Sequence, residues 1–342
     1  MPICEIDPWR AQYFDAAHCP ADVHIPTEDS DAWLWNPRHR WVYDRIAVAH
    51  SQGLAAGPHG TPPPQFPVFS KPIINLKGMG VGTRVLRSPD DYDRHCTAGH
   101  MWMTLLTGRH VSTDAAVVDG RVKWWRHVTG LPAGGGTFDY WTVHADSDPA
   151  LESSLGGWIA SNLAGYTGMV NLETVGGAII EAHLRATDQW PDLYGRGWVD
   201  ALVHLYAQGE WVYADRGRRD GYSVVLFGRH DVRWRHPGPR QIEDVRSLRE
   251  VSSVQITFHE HRDPPLHAMP PGGFRLAIIN GWNLEVGLAA RNRLRMYFMR
   301  SCVTSSADAV DPEEAVELPS IAGGKRYSSV RAADAIENVV VP

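Results

Sequence analysis

Two β-prone runs joined by Gly176-Gly177 constrain most strongly what this chain of 342 residues can fold into. Residues 167–174 and 178–185 have the length and apolar content of strands. The two glycines tolerate the positive φ angles of a tight turn, so we expect the runs to pair as an antiparallel hairpin. The chain is therefore expected to contain an antiparallel sheet.

Charged side chains occupy alternate positions of the second run, at Glu181, His183 and Arg185. Because successive side chains of a strand point to opposite faces, these three share one face, and Glu173 on the first run can lie beside them. Two carboxylates, an imidazole and a fixed cation suit a divalent metal that carries a polyphosphate. A salt-bridged sheet surface is the alternative interpretation.

A second segment that suits a phosphate lies upstream. Lys71 is on a β-prone run, and a loop with Lys77, Gly78, Gly80 and Gly82 follows it. Glycines let backbone N–H groups approach phosphate oxygens closely, and the two lysines add positive charge. The spacing fits neither the Rossmann fingerprint nor a Walker A loop. Taken alone, the segment fits a flexible glycine hairpin equally well.

Together and in this order, the two segments resemble the ATP-grasp superfamily over roughly residues 22–190. Ser70-Lys71-Pro72 matches the phosphate-binding lysine strand of that superfamily, and residues 101–114 match the hinge between its two lobes. Glu173 and Glu181 fall on its two metal carboxylates. The specificity of the resemblance comes from the order and spacing of these blocks.

The resemblance implies a role for each residue of a defined set. Nucleotide-binding residues would be Arg45, Lys71, Lys77, Gly78, Gly80, Gly82, Met101, Met103 and His110. Metal ligands would be Glu173, Glu181 and His183, and catalytic residues would be Lys71 and Arg185. The hinge backbone around Met101 and Met103 would contact adenine.

Four members of the set differ from the residues usual in the superfamily. Arg45 stands where a lysine is usual, and Met103 where an acidic residue is common. His110 stands where a glutamate holds the ribose, and His183 where an asparagine binds metal. An imidazole suits manganese better than magnesium, which prefers oxygen ligands. The expected cofactors are therefore ATP and either magnesium or manganese.

The expected fold class is α+β, with a two-lobe ATP-grasp fold, the nucleotide between the lobes and a small C-terminal α+β module. The expected domains are an N-terminal stub of a preceding domain (1–40), a small lobe with the glycine loop (41–107), a large lobe with the metal hairpin (108–195) and the C-terminal module (196–342). Helices are predicted over 41–52, 151–163 and 198–206. The last domain is predicted to run strand, helix, strand, strand, helix.

Composition excludes several classes of function. The net charge of -6 disfavours a general nucleic-acid partner, which requires a basic patch. No apolar run has the length of a membrane span, and the N-terminus lacks the pattern of a signal peptide. The four cysteines are scattered without a Cys-x-x-Cys pair. A cytoplasmic protein is expected, with a homodimer left open.

The activity implied by the resemblance is that of an ATP- and metal-dependent ligase acting on small molecules. A substrate carboxylate would attack the γ-phosphate to give an acyl phosphate, and an amine or similar nucleophile would then displace phosphate. Candidate general bases are Asp188, Asp139 and His127, and substrate contacts are expected from residues 125–127 and from the C-terminal module. A small-molecule kinase on the same fold and a catalytically silent nucleotide- or metal-binding protein are the alternatives.

Lys71 provides the first test. Replacing Lys71 with alanine should weaken ATP binding by roughly 1.5–3 kcal/mol, the scale of a hydrogen bond to a charged group. Calorimetry on the folded variant measures the effect. An unchanged ATP affinity would remove Lys71 from the nucleotide site.

Overall fold

The computed structural model describes residues 3–5, 7–74, 76, 80, 82–134, 137–263, 267 and 274–301. Its helices are α1 (Pro8–Ala11), α2 (Asp29–Trp35), α3 (Arg45–His50), α4 (Pro89–Arg94), α5 (Pro149–Asn162), α6 (Trp198–Gln208), α7 (Pro239–Arg246) and α8 (Leu284–Ser301), with 3-10 turns at Arg40–Tyr43 and Pro191–Tyr194. No helix within these ranges combines the length and the apolarity that crossing a bilayer requires.

The strands form one small parallel pair and two larger sheets. They are β1 (Ile3–Cys4), β2 (Ile25–Pro26), β3 (Ala56–Pro58), β4 (Val68–Pro72), β5 (Arg84–Leu86), β6 (His100–Thr104), β7 (His110–Val118), β8 (Arg121–Gly134), β9 (Thr137–Val143), β10 (Gly168–Val175), β11 (Ala178–His183), β12 (Gly221–Gly228), β13 (Val251–Ile256) and β14 (Phe274–Gly281). The four-stranded sheet has the order β3-β6-β4-β5, and the eight-stranded sheet has the order β11-β10-β7-β8-β9-β12-β14-β13.

The predicted hairpin forms one edge of the eight-stranded sheet. β10 and β11 are antiparallel, and Glu173 lies directly opposite Glu181 in their register, with Asn171 opposite His183. The turn contains Gly176 at φ +58° and Gly177 at φ +86°. The predicted pairing of the two runs, and of their carboxylates, is therefore confirmed.

Apolar side chains cover both faces of the large sheet. Ala115 and Val117 pack in a cluster with Leu155 of α5, whereas Ala116 packs with Trp198 of α6. Adjacent residues of β7 thus point to opposite cores, as the alternation of a strand requires. The result is a helix-sheet-helix sandwich with the hairpin at one end of the sheet.

The helix predicted over 41–52 is divided into two pieces. A 3-10 turn covers Arg40–Tyr43, and α3 begins only at Arg45. Asp44 separates them because its carboxylate accepts hydrogen bonds from the backbone N–H groups of Ile46 and Ala47, which caps the new helix. The helices predicted over 151–163 and 198–206 correspond to α5 and α6.

The order of elements predicted for the C-terminal part is confirmed, but these strands are not a sheet of their own. β12 pairs with β9, and β14 and β13 extend the same sheet beyond it. Backbone hydrogen bonds therefore connect the segments on either side of the boundary proposed at residue 195. The strands of the C-terminal part thus continue the large sheet from β9, and the division at residue 195 stays a prediction.

The hairpin turn rests on the loop between the two sheets. A Cβ atom at Gly176 would lie 2.4 Å from the carbonyl oxygen of Thr107, whereas a Cβ atom at Gly177 would meet no atom within 4 Å. Gly177→Ala should therefore cost about 1–2 kcal/mol of unfolding free energy from positive φ alone. Gly176→Ala should cost about 1–3 kcal/mol more, because overpacking is added. Denaturant unfolding of both variants measures the difference, and equal losses would contradict this close approach.

Candidate active site

The two carboxylates of the hairpin each have a cationic or ring nitrogen beside them. The Arg45 guanidinium forms an ion pair with Glu181, and His110 Nε2 lies 3.4 Å from Glu173 Oε2. Burial disfavours the charge on Glu173, but the hydrogen bond and charge of His110, with further positive charge nearby, lower the pKa of Glu173. The side chains of Glu173 and Glu181 remain 31% and 19% exposed, so ligands can reach them.

His183 is oriented by a carboxylate that the sequence did not identify. Its Nδ1 lies 2.9 Å from Asp29 Oδ1, and its Nε2 faces Glu181 Oε1 at 3.7 Å. Asp29 also accepts from Arg185 Nη2 at 2.7 Å and from the Tyr43 hydroxyl at 3.2 Å. A histidine that binds metal through one nitrogen usually has its other nitrogen held by such a carboxylate.

The electrostatics of this group follow from its burial. Burial opposes the charge on His183, but the Asp29 carboxylate outweighs it and raises the pKa of His183. Burial likewise opposes the charge on Asp29, yet Arg185 and His183 hold the pKa of Asp29 well below its usual value. The chain therefore keeps Asp29 ionised and His183 Nε2 directed at the carboxylate pair.

Two cations reach the hairpin from outside the eight-stranded sheet, Lys71 from β4 and Arg45 from α3. Lys71 of β4 donates from Nζ to the Ile180 carbonyl at 2.6 Å, and Arg45 donates to the Pro72 carbonyl at 3.0 Å. Both side chains are buried. Burial, with the nearby charge of Arg45, lowers the pKa of Lys71 to about 7. An anion at this position would favour the charged form of the lysine.

Several solved structures have a fold similar to that of this chain. The L-amino acid ligase of Bacillus licheniformis matches 84% of this chain and 82% of its own, with a TM-score of 0.57 and 12% identity. The phosphoribosylamine–glycine ligase of Thermotoga maritima matches 84% of this chain and 85% of its own, with a TM-score of 0.56 and 14% identity. Carboxyaminoimidazole ribonucleotide synthase from Aspergillus clavatus, complexed with ATP, matches 77% of this chain and 74% of its own, with a TM-score of 0.52 and 10% identity.

The chain has the ATP-grasp fold. The α+β prediction and the predicted fold are therefore confirmed. Neither a protein-family model nor a curated protein sequence matches the chain. At the identities above, the likeness concerns the fold, and the roles of individual residues in this ATP-grasp site remain predictions.

The hinge assignment requires a correction. Met101 and Met103 lie on β6, the strand between β3 and β4, and their backbones pair with both neighbours. Both side chains are buried in a small core. Because a central strand has its backbone groups satisfied on both sides, neither methionine can offer them to adenine.

The glycine loop is described only in part. Lys77 and Gly78 lie outside the described residues. Gly80 and Gly82 have φ angles of +58° and +81°, and the Thr83 hydroxyl donates to the Gly80 carbonyl at 2.8 Å. These glycines form a turn that other residues adopt with strain. The nucleotide-binding role of the loop remains a prediction.

The three candidate general bases are all engaged within the protein. Asp188 pairs with Arg10 at 2.5 Å, and Asp139 pairs with Arg291. His127 is buried and contacts the Thr113 hydroxyl and the Glu152 carboxylate, each at 3.0 Å. His127 therefore links β7 to α5 through these two contacts.

Arg126 does not reach a substrate either. It is 1% exposed, and its guanidinium donates to the carbonyls of Leu193 and Arg219. The alternation of β8 explains this position, because Arg126 and Trp124 point into the same core and Trp125 to the other face. The expected substrate contact at Arg126 is therefore wrong.

A group of acids around Arg10 was also missed by the sequence analysis. Carboxylate oxygens of Glu5, Asp7 and Glu28 lie within 4.8 Å of one another, and Arg10 forms ion pairs with all three and with Asp188. Arg10 thus fills the position that a cation would take between these acids. The group anchors the N-terminal segment beside the hairpin, through Asp188.

Glu5 makes the free energy of unfolding depend on pH. Burial raises the pKa of Glu5 to about 7, against the charge of Arg10. Between pH 4.5 and 7 the folded protein therefore holds a proton on Glu5 that the unfolded chain has lost. The contribution of this difference to the free energy of unfolding is fully present below pH 4.5 and is lost as the pH rises to 7. At about 1.4 kcal/mol for each pH unit between these values, the loss is about 3 kcal/mol.

Glu5→Gln should remove this dependence. The variant should unfold with nearly the wild-type free energy at pH 4.5 and should be more stable than wild type above pH 7. Urea unfolding across this pH range measures the difference, with Glu210→Gln as an exposed control that should follow wild type. A constant difference between Glu5→Gln and wild type would contradict the raised pKa.

Proposed function

We propose that the protein is an ATP- and divalent-metal-dependent ligase, which activates a small-molecule carboxylate as an acyl phosphate for attack by an amine. The observation that carries this proposal is the convergence of Glu173 and Glu181 with Lys71 and Arg45. Paired carboxylates suit a metal, and paired cations suit phosphate oxygens. The named ligases that share the ATP-grasp fold support this class of reaction.

The donor types suit a divalent metal, but the ligand atoms of Glu173, Glu181 and His183 do not all lie within 4.8 Å of one another in the described structure, so they would have to draw together around an ion. Glu173 and Glu181 face each other across the hairpin, and His183 directs Nε2 at Glu181 while Asp29 holds its other nitrogen. These three residues would hold the ion. When bound, the metal would neutralise the negative charge on the phosphate oxygens. Two oxygens and an imidazole nitrogen favour manganese over magnesium.

Lys71 and Arg45 would bind the phosphates. To do so, Lys71 would replace its hydrogen bond to the Ile180 carbonyl with one to a phosphate oxygen. Arg45 would likewise replace its ion pair with Glu181 by one with a phosphate oxygen. Arg185 keeps its bond to Asp29, and its Nε is buried without a hydrogen-bond partner in the described structure. Arg185 is therefore fixed in place and has a donor left for the substrate carboxylate.

The proposed reaction has two displacements. A carboxylate oxygen forms a bond to the γ-phosphorus while the bond from that phosphorus to ADP breaks. The amine nitrogen then forms a bond to the acyl carbon, phosphate leaves, and the nitrogen loses a proton. The chain's contribution is positioning and charge neutralisation, which dominate catalysis of phosphoryl transfer.

ADP release tests the proposal against its alternatives. The protein is incubated with ATP, metal and a panel of carboxylates, with and without amines. A ligase should form ADP over many turnovers only when both substrates are present. Sustained ADP formation without an amine would instead favour a small-molecule kinase, and bound ATP that is never cleaved would favour a silent nucleotide-binding protein.

Glu181→Gln should abolish ATP turnover without unfolding the protein. The change removes a charged metal ligand and keeps the volume of the side chain. ADP release and circular dichroism measure activity and fold together, with Glu210→Gln as a control at an exposed glutamate. Retained turnover in the folded variant would remove Glu181 from the metal site.

His183→Asn should shift metal preference from manganese towards magnesium, because it replaces an imidazole with an oxygen ligand. Manganese binding followed by electron paramagnetic resonance gives a readout without turnover. Tyr43→Phe is the matched control, because it removes another hydrogen bond to Asp29 and leaves His183 in place. Equal manganese affinity in wild type and His183→Asn would show that the histidine only packs.

Four expectations from the sequence stay predictions: the division into domains, the absence of a nucleic-acid partner, the cytoplasmic location and the open question of a homodimer. The amine and the carboxylate are proposed as chemical classes only.

A further inference from the structure

A cavity of about 320 Å³ lies away from the paired carboxylates. Its walls come from the end of α1, from residues 191–200 after the hairpin, and from β13. Polar side chains dominate the lining, including Tyr13, Ser252 and Ser253. The volume is at the lower end of the range for small-molecule sites. The fold therefore provides a second concave polar surface.

The charge in this cavity is negative. Among its described lining residues, the charged side chains are Asp192 and Asp200. Asp192 Oδ1 accepts a hydrogen bond from Asn280 at 2.8 Å, but its Oδ2 is buried without a partner in hydrogen-bond geometry. Burial raises the pKa of Asp192, although the hydroxyls of Ser252 and Ser253 oppose this effect.

A second acceptor nearby is also unsatisfied. Asn280 is fully buried, and its amide nitrogen serves Asp192, Tyr13 and the Gln189 carbonyl, but its Oδ1 has no partner in the described structure. Asn280 does not line the cavity, whereas Asp192 does. Buried acceptors without donors are costly, so a ligand that donates N–H groups to Asp192 would be stabilised here. A positive charge on those groups would also restore the charge balance of Asp192.

We propose that this cavity is a binding site for a small polar ligand with a primary ammonium group. The ammonium group lies against Asp192, where it donates hydrogen bonds to the free carboxylate oxygen. The remainder of the ligand lies against the Ser252 hydroxyl and the hydroxyls of Tyr13 and Ser253, which are hydrogen-bonded to each other at 2.9 Å.

The cavity is connected to the candidate active site through the chain. Asp188, three residues after Arg185, pairs with Arg10 of α1, and the turn after α1 carries Tyr13. Asn280 binds the carbonyl of Gln189 in the same segment. An occupant is thus either an amine substrate or an amine that regulates the reaction, and both share the ammonium chemistry.

Ligand-observed NMR and calorimetry on the full chain without ATP test the site. The probes are glucosamine and ethanolamine, with glucose and ethylene glycol as matched compounds that lack the ammonium group. At least one amine should bind saturably at millimolar concentration, and its uncharged match should not. Asp192→Asn should weaken that binding at least tenfold, whereas Asp231→Asn, at an exposed aspartate, should not change it.

A second variant tests the cavity even if Asp192→Asn does not fold. Ser252→Leu fills the cavity from the edge strand and should also abolish amine binding. Failure of both amines to bind wild type, equal binding of the uncharged compounds, or wild-type affinity in a folded variant would overturn the proposal.

Turnover assays show whether the bound amine is a substrate or a regulator. If the bound amine is consumed together with ATP and a carboxylate, it is a substrate, and if it changes the rate of ADP release without being consumed, it is a regulator. Binding is measured without ATP, so its failure is distinguishable from a failure of the proposed ligase activity.

Discussion

The buried carboxylate of Asp29 is the interaction on which the site depends most. It joins α2 of the N-terminal segment to His183 and Arg185 at the end of the hairpin, and Tyr43 contributes a third hydrogen bond. Removing one partner of a buried ion pair typically costs about 3–5 kcal/mol, because the other charge remains buried. Asp29 therefore fixes the orientation of the His183 imidazole and links the N-terminal segment to the face of the hairpin that carries Glu173 and Glu181.

The remaining charges of the site are held by contacts within the chain. Arg45 is paired with Glu181, and Lys71 is bound to the backbone of the same strand. Cations that would bind phosphates are thus held beside carboxylates that would bind metal. Under the proposed function, metal and nucleotide together would replace these contacts with equivalent ones, whereas either alone would leave a buried charge without its partner. This arrangement favours joint binding of the two.

The large sheet connects the hairpin to the C-terminal strands. β12, β14 and β13 extend the sheet that carries the hairpin, and residues 191–200 cross its face between the two. The segment after Arg185 is held by Asp114, which accepts hydrogen bonds from Thr187 and Tyr194. Asp114 therefore fixes the start of the segment that leads from the hairpin to the polar cavity.

The sequence by itself determined the hairpin, the shared face of Glu173 and Glu181, and the order of elements in the C-terminal part. Alternation and turn chemistry are local, so these features follow from residues a few positions apart. The tertiary structure decided the rest: that Asp29 meets His183 across 154 residues, that the backbones of Met101 and Met103 are used within a sheet, and that Arg126 is buried. Such pairings depend on the path of the whole chain, because burial and long-range charge exist only once distant segments have packed.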